Sequence, residues 1–356
     1  MILEFPMDTS RMTHRVAVFG ALTLLAASAA AHHGPNVEPL YDTSQLVEFE
    51  GEVTEVFWHN PHARIRIRVT AGPEIGEIWE LETNPGGSMT RRGFPDLLPV
   101  GSQVKVAGVV SRRKSRYMGL RNLLLPNGYE FNDIARNYPL RFAEERLSLE
   151  QSQPSQARVE AAVQEAEGIF RVWQRGRAGL RALDDSELTE AARAAKPDFD
   201  AWTYLENPDC IQPGMPIGME VPTPIQFVDE GDTIVLLQSE YDLVRTIHMN
   251  SDVDPETQPA TPLGYSVGRW EDDTLVITTT RIDWPLSDRR GVPQSADAMH
   301  IERFTPSADG RTMTSTLTSI DPAYLIGSPV RTGAYTWLPG QEIEPYDCVR
   351  WEGEVE

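Results

Sequence analysis

The chain has 356 residues, long enough for two or three domains with cores of their own. It is 40% hydrophobic and 24% charged, the composition of a globular protein, and its formal net charge is -21. A surface this acidic repels nucleic acid and anionic lipid, so neither is expected as an electrostatically recruited partner.

The N-terminus reads as an export signal over residues 1–31. Arg11 and Arg15 precede the short apolar run Val16 to Ala27, and Ala29-Ala30-Ala31 fits a small-residue cleavage site. The run is too short to cross a bilayer comfortably. The expectation is a periplasmic or secreted protein that begins at His32 and keeps no membrane span. Only two cysteines are present, Cys210 and Cys348. In an oxidising compartment such a pair forms a disulfide more often than a metal site, with two buried free thiols as the alternative. A bridge closing so long a loop adds about 4 kcal/mol in the chain-entropy picture.

Residues 32–131 read as a small β domain. Val47 to Trp58 supplies a first strand, and Ala63 to Val69 alternates isoleucine and valine with arginine, the period of a half-buried strand. Glu77 to Thr83 is a third strand, and a helix-compatible stretch follows around Met89 to Leu98. Gln103 to Val110 and Leu120 to Leu125 are the fourth and fifth. Five strands with a helix between the third and fourth is the order of an OB-like five-stranded barrel. Arg112-Arg113-Lys114 with Arg116 and Tyr117 marks the loop between the last two strands. In an OB barrel that loop often meets nucleic acid, but on so acidic a chain it reads as a solvated hairpin tip.

Residues 132–197 read as a helical connector, with Val159, Ala162, Val163, Ala166 and Phe170 at helical spacing. Residues 198–356 read as a second β domain. Its strands are Ile225 to Val228, Thr233 to Ser239, Glu240 to Met249, Gly264 to Trp270, Thr274 to Thr280, Met299 to Phe304, Met313 to Ile320 and Val330 to Trp337. Hairpin-joined strands in this number predict an antiparallel, lipocalin-like barrel or half-open sheet, with a β-sandwich as the competitor. The fold class is therefore mainly β.

Three groups of residues carry candidate chemistry. His32 and His33, with His59 and His62 of Trp58-His59-Asn60-Pro61-His62, are candidate metal ligands. A terminal histidine offers its amine and its ring together, a donor set that suits copper. A bend at Pro61 is the feature that would bring the other two imidazoles in. In the second domain, alternation places Leu237, Ser239, Tyr241, Leu243, Arg245 and Ile247 on one buried face. A guanidinium there needs a partner, either an acid such as Glu302 or Asp283, or the carboxylate or phosphate of a ligand. Trp270 and Arg303 join Tyr241 and Arg245 as candidate ligand contacts. His300 and Glu302 are two apart on one strand, so they share a face and form a candidate acid–base pair, with Asp283 in the long loop before them. No nucleophile elbow, zinc-protease motif, phosphate loop or dinucleotide fingerprint is present.

With these residues named, the chain resembles uncharacterised exported bacterial proteins. Ala31-His32-His33, Asn60-Pro61-His62 and Leu125-Pro126-Asn127-Gly128 resemble a short secreted domain of unknown function. Asn207-Pro208 before Cys210, Pro213-Gly214-Met215-Pro216, Gly268-Arg269-Trp270-Glu271, His300 with Glu302-Arg303, and Cys348 are similar to a second, β-rich family of unknown function. Where that family carries a glycine-phenylalanine pair, this chain has Arg281-Ile282, which departs from the pattern beside Asp283. The resemblance implies an exported β protein and no established activity. Three functions follow as expectations. The first is a small-molecule-binding protein with a copper-type site at its N-terminus. The others are an enzyme using His300 and Glu302, and an envelope interaction scaffold.

Overall fold

The computed structural model describes residues 40–132, 138–148, 154–176, 181–196 and 210–350. The first domain contains β1 (Tyr41–Phe57), β2 (Arg64–Val69), β3 (Ile78–Glu82), α1 (Gly86–Arg91), α2 (Phe94–Leu97), β4 (Gln103–Ser111), β5 (Tyr117–Leu124) and β6 (Glu130–Asn132). The strands run β3-β2-β1-β4-β5-β6, and a parallel β3–β5 pairing joins Glu80 to Tyr117. That pairing closes the circuit β1-β2-β3-β5-β4, the OB-like barrel expected. Strand β1 is long because its first part pairs with β4 and its last part with β2. The two ladders overlap at Gly51, where a Cβ would lie 2.3 Å from Ile67 Cγ2 and 2.7 Å from the Arg68 carbonyl oxygen. Only glycine lets the strands approach there.

The alternation in β2 is realised. Ile65, Ile67 and Val69 enter the core with Val53, Leu81, Val106, Met118 and Leu123. On the outer face Arg64 pairs with Glu82 at 2.7 Å, and Arg66 bonds to Glu55 and Glu80. Phe94 of α2 plugs one end, edge-on to Trp58 and Phe131. The basic residues 112–116 form the tip between β4 and β5, and Lys114 lies over the Tyr117 ring at 4.7 Å.

The stretch expected as a helical connector holds α3 (Gln156–Glu165) and α4 (Glu190–Ala195), and also the strand β7 (Val172–Arg175). No residue of α3 is fully buried, and Val163 is exposed, so its apolar stripe covers little. The second barrel consists of β7, β8 (Pro224–Asp229), β9 (Thr233–Gln238), β10 (Leu243–Met249), β11 (Tyr265–Glu271), β12 (Thr274–Thr280), β13 (Met299–Pro306), β14 (Thr312–Ile320) and β15 (Val330–Trp337). These nine strands close in chain order, β15 returning to β7. Closure replaces the half-open sheet, and β7 is a member that sequence patterning left in the connector. One neighbouring pair, β10 and β11, is parallel rather than antiparallel. A parallel pair needs a return crossing, which the long segment 250–264 supplies.

The tight turn between β9 and β10 corrects the expected facing of residues. Tyr241 and Asp242 take φ of 57° and 51°, and Gln238 pairs with Leu243. Paired residues share a face, so inward positions are even-numbered before the turn and odd-numbered after it. Ile234, Leu236 and Gln238 face in, then Leu243, Arg245 and Ile247, while Leu237 and Tyr241 do not. One end of the interior is filled by Phe227, Ile234, Ile247, Leu275, Phe304 and Met313. The other end is polar.

Candidate binding site at the polar end of the second barrel

The polar end is lined where β10, β11, β12, β13, β14 and β15 each turn a hydrophilic side chain inward. Arg245 is 2% exposed. Its Nε donates to Ser266 Oγ at 3.0 Å, and its Nη2 donates to Thr279 Oγ1 at 2.7 Å and to Glu302 Oε2 at 2.5 Å. The two hydroxyls are 3.1 Å apart. Of the two acids that sequence offered Arg245, Glu302 is therefore the partner. Nη1 of Arg245 is buried and has no hydrogen-bond partner.

His300 is 1% exposed and shares the inward face with Glu302. Its Nε2 is 2.7 Å from Gln294 Oε1, and its Nδ1 is 3.1 Å from Ser319 Oγ. Gln294 Nε2 donates to the carbonyls of Met215 and Trp284, which leaves Oε1 as an acceptor. The proton of His300 therefore belongs on Nε2, and Nδ1 accepts from Ser319. Burial, with Arg331 and Arg245 nearby, lowers the His300 pKa to about 3, so the ring is neutral.

Two further arginines point to the same end. Arg331 is fully buried, bonded to Glu220 and, at 3.3 Å, to the carbonyl of Ser287. Arg175 donates to the Met219 carbonyl and lies 5.7 Å from the centre of the Tyr335 ring. The Nε of each is buried without a partner. Burial pushes the Glu220 carboxyl above its ordinary range against the pull of Arg331. Sequence reading missed Arg175, Glu220, Gln294 and Arg331. For Arg331 a signal existed, because it lies two and four residues before Gly333 and Tyr335 on β15 and so shares their face. For Glu220 and Gln294 none did, since both lie in irregular segments.

Those irregular segments, 213–222 and 281–298, cover the polar end. Met215, Ile217, Gly218 and Met219 are buried in the cover. Gly214 is required where the two segments meet, because a Cβ there would lie 2.4 Å from the Pro262 oxygen and 2.6 Å from Trp284 Cγ.

The remaining expected residues lie elsewhere. Asp283 is exposed on the cover, apart from His300 and Glu302, and its N–H bonds to the Thr261 carbonyl. Trp270 is 41% exposed at the opposite end, edge-on to Phe170. Arg303 alternates with Glu302 and so points outward, where it pairs with Glu271 at 2.7 Å. Tyr241 stands in the β9–β10 turn, its ring 4.8 Å from that of Tyr346.

Of the candidate metal ligands, His32 and His33 lie outside the described residues. His62 Nδ1 is 2.9 Å from Glu82 Oε1, and Glu82 Oε2 also accepts from Tyr41, Tyr117 and Arg64. His59 is partly exposed and 3.9 Å from Asp347. The two histidines are thus held by different carboxylates. Among the described residues, no three of the types His, Cys, Asp and Glu are grouped as a metal site. Cys210 and Cys348 form the disulfide, with Cα atoms 5.9 Å apart. Among the described residues, no helix is long and apolar enough to cross a membrane.

The model of a family of unknown function, DUF6152, matches residues 21–121, a stretch that runs from upstream of β1 into β5. No curated protein matches the chain.

Proposed function

We propose that this chain is an exported binding protein whose second barrel takes up a small, partly apolar molecule bearing an acidic group. The observation that carries this reading is the set of unused guanidinium donors. Nη1 of Arg245 and Nε of Arg175 and of Arg331 are buried with no acceptor. A buried donor left unmet costs about 1–3 kcal/mol, and more when charged. A carboxylate supplies the missing acceptors.

The enzyme alternative draws less support. An acid–base histidine needs a pKa near the working pH, whereas burial holds His300 near 3 and both its nitrogens are engaged. Export is supported by the Cys210–Cys348 bridge, since disulfides persist in oxidising compartments. The likeness of the second domain to another exported family belongs to the same proposal.

Native mass spectrometry of protein purified from its source envelope tests the reading. The wild type should carry an additional small acidic mass. The double variant R245M/E302M, which replaces the buried pair by apolar side chains, should fold and lose that mass. Equal retention by both proteins overturns the role of Arg245, and an empty wild type overturns the binding reading.

A further inference from the structure

The chain beyond β15 returns across the molecule as a strap, residues 344–349. One side of it is fixed to the β9–β10 turn. The Tyr346 N–H donates to Asp242 Oδ1 at 2.8 Å, and Ser239 Oγ donates to the Glu344 carbonyl at 3.0 Å. The Tyr346 ring packs on Tyr241 and is only 8% exposed. The other side is fixed to the Asn-Pro-His loop of the first barrel. The Val349 N–H donates to the Asn60 carbonyl at 3.0 Å, and Asn60 Nδ2 donates to the Tyr346 carbonyl. Asn60 Oδ1 accepts from the Gly87 N–H at 3.1 Å, which fixes the orientation of its amide. Asn60 also faces Cys348 in an isolated parallel bridge.

The disulfide stands in the middle of this arrangement. Cys348 is bonded to Cys210, and both residues are partly exposed, so a small dithiol can reach them. Cys210 takes φ 55°, the left-handed region that a cysteine adopts at a cost, and Asp347 takes φ 50°, which aspartate tolerates. Besides these hydrogen bonds and the Tyr241–Tyr346 ring pair, Asp347 of the strap lies 3.9 Å from His59 Nδ1 of the first barrel.

We propose that the Cys210–Cys348 disulfide is a redox-operated latch, holding the strap against both barrels while oxidised and releasing it when reduced. The chemistry is thiol–disulfide exchange with a dithiol. A thiolate of the dithiol attacks one sulfur, the Cys210–Cys348 bond breaks, and a mixed disulfide forms. The second thiolate of the reductant then attacks the reductant sulfur of the mixed disulfide, expelling the remaining protein cysteine as a thiolate and leaving the reductant as its own disulfide, oxidised by two electrons. Each cysteine sulfur ends with one proton. The backbone at Cys210 is then free to leave the left-handed region, and the departing strap leaves Asn60 and Tyr241 uncovered. This does not depend on the ligand reading above.

Hydrogen exchange on the full chain, oxidised against reduced with dithiothreitol, tests the latch. Amide protection at Tyr346 and Val349 should fall by about tenfold or more on reduction, with β12 and β13 unchanged. The variant C210S/C348S should behave as the reduced protein without any reductant. Persistent strap protection in the reduced protein overturns the proposal. So does a parallel loss of protection in β12 and β13, which would make the disulfide a general staple.

Discussion

At the scale of single residues, the second barrel depends on how buried charges are matched. Glu302 and Arg245 are both nearly inaccessible and meet at 2.5 Å. Removing one partner strands the other in a medium that solvates it poorly, at a cost of about 3–5 kcal/mol. The variant Glu302→Leu should show that loss in urea denaturation, whereas R245M/E302M should lie close to the wild type. A double variant as unstable as the single one would mean that the hydroxyls of Ser266 and Thr279 depend on the pair. His300 makes a different prediction. Its pKa falls from 6.5 in the unfolded chain to about 3 in the fold. The unfolded state therefore binds the extra proton first. The contribution of His300 is fully present above pH 6.5 and is lost as the pH falls towards 3. The variant His300→Gln should lose stability less steeply through that window, by up to one proton in the slope. Identical slopes for variant and wild type, from denaturation curves at several pH values, would show that His300 is protonated in the folded protein.

At the scale of elements, two close approaches decide what each strand can carry. The long β1 bends from one partner to the next at Gly51, where backbone and Ile67 leave no room for a Cβ. Gly51→Ala should destabilise the first barrel by about 1–3 kcal/mol, because the clash involves a backbone oxygen that cannot step aside. Hydrogen exchange in β2 and β4 would register it, with β12 as an internal control. In the second barrel, Phe304 packs against Phe227 at 5.1 Å and Tyr335 at 6.2 Å and fills the apolar end. Phe304→Ala should cost about 3–5 kcal/mol through the cavity it leaves. A loss under 1 kcal/mol in chemical denaturation would mean that the apolar end collapses around the gap.

At the scale of the whole molecule, the strap of residues 344–349 bridges two closed or nearly closed β barrels, the disulfide ties that strap to Cys210, and the formal charge is -21. Self-repulsion on this scale opposes compactness and is screened by salt. The melting temperature should therefore rise as sodium chloride increases from about 10 to 150 mM. A flat or falling profile would show that local ion pairs such as Arg141–Glu48 and Arg158–Glu342 outweigh the general repulsion.

Much of this organisation is legible in the sequence because strand patterning is local. The alternation Ile65-Arg66-Ile67 names its own inward face, and the β-branched run Thr274 to Thr280 names a covered strand. Cys210 and Cys348 are the only two cysteines, so the sequence names the one possible bridge within the chain, and the fold forms it. What local patterning cannot carry is parity across a turn. The Ser239–Asp242 turn moves the inward set from even to odd numbers, so Tyr241 leaves the face of Arg245. Nor does patterning find a strand as short as Val172–Arg175, whose role comes from β8 and β15 on either side. The site divides along the same line. Arg245, His300 and Glu302 were readable as inward polar residues, since each sits within a regular strand. Their partners were not, because Gln294 and Glu220 arrive from irregular segments far along the chain. Period-two chemistry set which side chains face inward within a strand. Only closure of the barrel, a cooperative long-range event, decided which of them meet.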